Sequence, residues 1–120
     1  MHFFWVFIGG GLGAAARWLL SDYLSSGSSF PMGTFSVNMI GCFLIGIVSA
    51  ILFEHSVKWE LLLIVGFLGG FTTFSSFGLD MFKLIQTADY KNLLSYALLS
   101  NVLGLILVII GHKATTYFIS

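Results

Sequence analysis

Polar residues in this chain gather into short clusters that leave long apolar stretches between them, over about 3–20, 33–53, 61–85 and 93–117. The shortest of these, at about 1.5 Å of helical rise per residue, reaches roughly 27 Å, close to the thickness of a bilayer's hydrocarbon core. The pattern therefore predicts an all-α integral membrane protein, a single transmembrane domain over residues 1–120 with four spans. The connection over 21–31 is rich in serine and holds the only proline, while 54–60 is short and mixed in charge. Lys58 and Trp59 fall there at interfacial depth. His2, His55 and His112 all fall at segment ends, as solvated interfacial residues.

The third stretch departs from a plain span. Gly69-Gly70-Phe71-Thr72-Thr73-Phe74-Ser75-Ser76-Phe77 packs two glycines, four hydroxyl side chains and three phenylalanines into nine residues. Adjacent glycines each give up about 1 kcal/mol of helix propensity, and hydroxyls offer the backbone other hydrogen bonds. A break in the helix is expected here. Freed backbone groups at membrane depth survive only where protein or a wet cavity satisfies them, so the break marks a permeation or ion-binding site.

Composition agrees with the class. Hydrophobic residues make up 58% and charged residues 8%, with a mean hydropathy of +0.99; soluble domains carry about 25% charge. The 14 glycines favour helices in close contact over a transmembrane barrel. Gly9 and Gly13 in the first span have the four-residue spacing that permits such contact. Ala14-Ala15-Ala16 resembles a signal-peptide cleavage site, yet no Lys or Arg precedes it, and the first span is read as a mature helix. The formal net charge of +0, without a basic cluster, gives no footing for a nucleic acid. Cys42, a lone thiol in an apolar span, reads as a small hydrophobe in a helix interface.

Candidate chemistry is confined to a few side chains. Asn38 is an amide in an apolar span, expected to avoid lipid and either to bridge helices or to offer its NH₂ to an anion. Thr34 lies one turn earlier on the same face. Phe74 and Phe77, expected to share a face with Phe71, form either a packing stripe or a set of positive ring edges aimed at an anion. No carboxylate falls in the membrane part of that helix, Asp80 and Lys83 marking the approach to the interface, which argues against cation conduction. Tyr96 and Ser100, four apart, can either pack on the third span or donate to the same ion track. Arg17 reads either as an interfacial anchor at the end of the first helix or as a positive charge at a pore mouth. Lys58 and Lys113 fall on one side of the membrane and Arg17, Lys83 and Lys91 on the other, a bias too small to fix orientation. Insertion both ways, antiparallel dimers and a pore completed by oligomerisation follow as expectations.

These blocks together resemble the Fluc (CrcB) fluoride channels along nearly the whole chain. The matching residues are Gly9-Gly10-Gly11-Leu12-Gly13-Ala14 with Arg17; Gly33-Thr34 with Val37-Asn38 and Gly41; Gly66 through Phe77; and Tyr96 with Ser100. The resemblance implies a dual-topology antiparallel homodimer in the inner (plasma) membrane, two fluoride pathways and a structural Na⁺ at the centre. Carried over by position, Asn38, Phe74, Phe77, Tyr96 and Ser100 would line the pathway, with Thr34 and Ser75 contributing and Arg17 at a vestibule. Backbone carbonyls of Gly69 and Thr72 from both subunits would hold Na⁺. Ser76 stands where the family commonly has threonine and Asp80 where it has glutamate, both keeping the chemistry. The implied role is passive export of fluoride. Two rivals lie in other classes. A small multidrug-resistance type antiporter needs a membrane-embedded carboxylate that the first helix does not supply, and a noncatalytic assembly subunit leaves the polar residues without purpose. No nucleophile and base pair points to an enzyme.

Overall fold

The computed structural model describes residues 1–25, 27, 30–52 and 57–119, and these are helical with no strand among them. Four segments are long and apolar enough to cross a membrane: His2–Leu24, Met32–Ile51, Val57–Gln86 and Tyr90–Ile119. The first two are α1 and α2. The third is divided: α3 covers residues 57–71 and α4 is Ser75–Gln86, with Thr72, Thr73 and Phe74 between them. The fourth is α5, whose 30 residues reach about 45 Å and overshoot the hydrocarbon. Phe53, where the second span was expected to end, lies outside the described residues, as do Glu54 and His55 of the following connection.

α1 runs on through Leu24, past the expected end at residue 20. Leu19, Leu20, Tyr23 and Leu24 keep its apolar character going around Ser21 and Asp22. Arg17 is therefore in the helix interior rather than at its end. A second departure lies in α3, where Glu60–Leu68 is wound as a π-helix between the α-helical Val57–Trp59 and Gly69–Phe71. Such winding is rare beyond a single turn, and local propensity carries no signal for it.

Chain direction alternates, so α1 and α3 run parallel, as do α2 and α5. Each pair closes through glycine. A Cβ at Gly13 would fall on the Phe67 carbonyl oxygen, and one at Gly66 would sit 3.0 Å from the Gly9 Cα. On the other side, a Cβ at Gly111 would meet the Phe43 carbonyl oxygen at 2.5 Å. With no hydrophobic gain from burying leucine out of lipid, helices in a bilayer hold together through such close backbone packing.

The interior is correspondingly small. Tyr96, Phe77 and Leu84 form a buried hydrophobic cluster, with Phe30, Phe35, Met81 and Leu93 against them. Most large apolar side chains point outward instead, including Phe3, Phe7, Trp18 and Leu105. At the α4–α5 turn Asp89 caps α5: its Oδ1 accepts from the Asn92 backbone N–H at 3.4 Å and its Oδ2 from the Asn92 side-chain amide at 2.9 Å. Asp89→Ala is expected to remove about 1 kcal/mol of helix stability, read as a lower thermal unfolding midpoint in detergent.

Candidate functional site

The break between α3 and α4 is built by side chains that replace helical hydrogen bonds. In a continuous helix the Thr73 N–H would reach the Gly69 carbonyl; here it donates to Asn38 Oδ1 at 2.9 Å, and Asn38 Nδ2 donates back to the Thr73 carbonyl at 3.0 Å. The amide of α2 thus pairs with both backbone groups of one residue, Thr73, as a neighbouring strand would. Thr72 is extended (φ −82°, ψ 158°). Its backbone N–H and its hydroxyl both donate to the Leu68 carbonyl, at 3.0 and 2.9 Å, which closes α3. Thr73 Oγ1 accepts from the Ser76 N–H at 3.1 Å and opens α4 as a cap.

Room for this rearrangement comes from α2. A Cβ at Gly41 would collide with the Thr72 methyl, so the extended residue fits only against glycine. Arg17 reaches in from α1 and donates from Nε to the Gly70 carbonyl at 3.1 Å, satisfying another acceptor of the broken turn. Sequence reading placed Arg17 at a helix end; the structure has it holding the break.

Beside the break lies a concavity of about 350 Å³, lined by Asn38, Gly69, Thr72, Thr73, Phe74, Phe77, Ser100 and Asn101 together with the apolar Met39, Ile45, Ile64 and Leu68. No charged side chain lines it. Its polar groups are neutral amides, hydroxyls and backbone. The Ser100 Oγ is buried without a hydrogen-bond partner among the described residues, and Ser100 belongs to the cavity lining.

The aromatic row divides at the break. Phe71 is buried and stacks on Phe67, with centroids 5.9 Å apart and planes at 10°. It does not share the face of Phe74 and Phe77, because the extended residues rotate α4 relative to α3. Phe74 is 81% exposed and Phe77 only 7%, with centroids 5.8 Å apart. Phe77 in turn lies 4.8 Å from the Tyr96 ring.

Tyr96 and Ser100 also part ways. Ser100 faces the cavity, whereas Tyr96 is fully buried behind Phe77 and donates its hydroxyl to Asp80 Oδ2 at 3.0 Å. The Thr34 side chain approaches the same hydroxyl. Asp80, read from the sequence as marking the interface, is thus tied into the helix contact. Ser75 is exposed, with its hydroxyl 3.3 Å from Thr73 Oγ1. Of the residues singled out in advance, Asn38, Gly69, Thr72, Phe74, Phe77 and Ser100 meet at one cavity, while Thr34, Ser75, Tyr96 and Arg17 stand around it. Asn101 was passed over as a lining residue, although the reasoning that chose Asn38, an amide in an apolar span, applied to it equally.

The fold defines a multi-pass α-helical membrane protein whose third span is broken beside a neutral cavity. Residues 4–112 match the family described as "CrcB-like protein, Camphor Resistance (CrcB)", and the chain belongs to that family. It is 44% identical over 123 residues to the "Fluoride-specific ion channel FluC" of Helicobacter acinonychis, covering 98% of this chain and 97% of that one. It is 45% identical over 112 residues to the protein of the same name from Parabacteroides distasonis, covering 90% and 88%. The Helicobacter pylori strain Shi470 protein so named is 45% identical over 123 residues, with 98% and 95% covered. These are channels, not enzymes.

Proposed function

We propose that the chain is a fluoride-selective channel that lets fluoride leave the cytoplasm passively across the plasma membrane. The observation that carries this is the cavity beside the break, whose polar lining is neutral throughout. A small anion must exchange its hydration for protein donors. Asn38 has a second N–H beyond the one given to Thr73, Ser100 has an unpaired hydroxyl, and Phe74 and Phe77 have ring edges of positive potential. A lining without carboxylates offers no anionic side chain to draw a cation along the pathway. A cavity without fixed positive charge does not trap the anion either, which conduction requires.

The working unit in this reading is an antiparallel homodimer with two pathways. Phe74 stands 81% exposed beside the cavity of its own protomer, and a second copy would cover it. With Arg17 withdrawn into the bundle at Gly70, the basic residues near the two membrane faces become Lys58 and Lys113 against Lys83 and Lys91. Equal numbers give insertion no preferred direction.

The residues around Gly69 also fit a hard cation. Thr73 N–H is diverted to Asn38, so the Gly69 carbonyl accepts no hydrogen bond among the described residues, and Thr72 lines the same cavity. Doubled across the dimer, these carbonyls form the all-oxygen set that a hard cation prefers. A Na⁺ held there would supply a positive charge in a low-dielectric interior. Asn38 and Arg17 do the protein's part, holding the break open by occupying the Thr73 and Gly70 groups.

The test is fluoride efflux from liposomes, read with an ion-selective electrode beside a chloride control. Phe74→Ile, on an exposed side chain outside the core, is expected to leave folding intact and to lower fluoride efflux at least tenfold, about 1.4 kcal/mol or more of added barrier. Absence of fluoride efflux from well-folded, reconstituted parent protein would overturn the reading.

A further inference from the structure

Far from the cavity, at the membrane face shared by the start of α1 and the start of α3, Lys58 stands over two indole rings. Its Nζ lies 4.5 Å from the Trp5 ring centroid and 5.3 Å from that of Trp59. The two rings come from different helices, and the parallel packing of α1 on α3 sets them at one level. Trp5 is itself held by Phe4, whose ring meets it edge-on at 5.2 Å. Lys58 makes no ion pair among the described residues, and its side chain is exposed.

An exposed lysine free to move would carry a diffuse charge, but this ammonium is held by two aromatic faces, each attracting it without neutralising it. The two tryptophans belong to the depth where indoles sit among lipid headgroups. A positive charge held at headgroup depth, with no ion pair among the described residues, complements a phosphate there.

We propose that Trp5, Lys58 and Trp59 form a binding site for the headgroup phosphate of an anionic phospholipid. The inference is independent of what the cavity conducts, since it concerns another part of the molecule and a different readout. Full-length protein carrying Trp18→Phe, which leaves Trp5 and Trp59 as the fluorescent reporters, is placed in bilayers containing brominated phosphatidylglycerol or brominated phosphatidylcholine. Quenching then gives the relative association of the two lipids at this site. Phosphatidylglycerol is expected to be favoured about fivefold, the weight of one lysine at an anionic surface. Lys58→Gln should bring the ratio to about one, Lys58→Arg should keep it because guanidinium also stacks on indole, and Lys83→Gln at the opposite face should not change it. A ratio near one in the parent, or an equal fall with Lys83→Gln, would overturn the proposal.

Discussion

Asn38→Ala is expected to leave the chain unable to conduct and poorly folded. The substitution removes both bonds to the Thr73 peptide, the 2.9 Å bond from its N–H and the 3.0 Å bond to its carbonyl. Neither group has another hydrogen-bond partner among the described residues. Leaving a buried donor or acceptor unpaired costs about 1–3 kcal/mol each, so the loss is about 2–6 kcal/mol. That is a large part of the stability of a small domain. The α3–α4 segment would relieve the cost by winding back into continuous helix, which erases the cavity wall. Thermal unfolding in detergent and fluoride efflux should therefore fall together. Asn38→Asp separates the two effects. It keeps an acceptor for the Thr73 N–H and so should fold better than the alanine variant, yet it sets a carboxylate in the proposed anion pathway, and efflux should still be lost. Normal efflux through Asn38→Ala would show that the break does not depend on this brace.

The second large effect is expected at Gly13. A Cβ there would coincide with the Phe67 carbonyl oxygen and lie 2.9 Å from the Phe71 backbone nitrogen. Both obstacles are backbone, so no side chain can turn aside to make room. Gly13→Leu would push α1 off α3, pull Arg17 away from Gly70 and cost about 3 kcal/mol or more. Gly11→Ala is the matched control from the same glycine run, since a Cβ there meets no atom within 4 Å. It should be neutral or slightly stabilising, because alanine is the better helix former by about 1 kcal/mol. Size-exclusion profiles and unfolding midpoints of the two variants should diverge sharply; if both behaved alike, the close α1–α3 approach would be wrong.

Much of the architecture was legible because hydropathy is a sum over about twenty residues and tolerates local detail. The spans emerged from it, and so did the suspicion of a break at the glycines and hydroxyls before Phe77. What the local pattern lacked was the cause. Glycines and threonines make a break affordable, but Asn38, 35 residues away, holds it open, and no window along the chain contains both partners. The same limit explains Phe71. Helical spacing grouped it with Phe74 and Phe77, and that spacing holds only while the helix is continuous. Tyr96 and Ser100, also four apart, were grouped by spacing, yet a ring that reaches past Phe77 to Asp80 and a short hydroxyl that stops at the cavity end in different places. Arg17 was judged by its distance from an expected helix end, and the extra turn through Leu24 changed its surroundings. The π-helical winding of Glu60–Leu68 had no counterpart in composition at all.

The brace at the break also fixes an order of events during synthesis. Residue 38 leaves the ribosome before residue 73, so α2 carries its amide into the bilayer before the third span arrives. The interrupted segment therefore never has to enter the lipid with its freed peptide groups bare, since a partner for them is already in place. Had the asparagine stood on α5 instead, the same finished structure would have required the third span to wait in the membrane, either unsatisfied or wound as an unbroken helix that must later be undone.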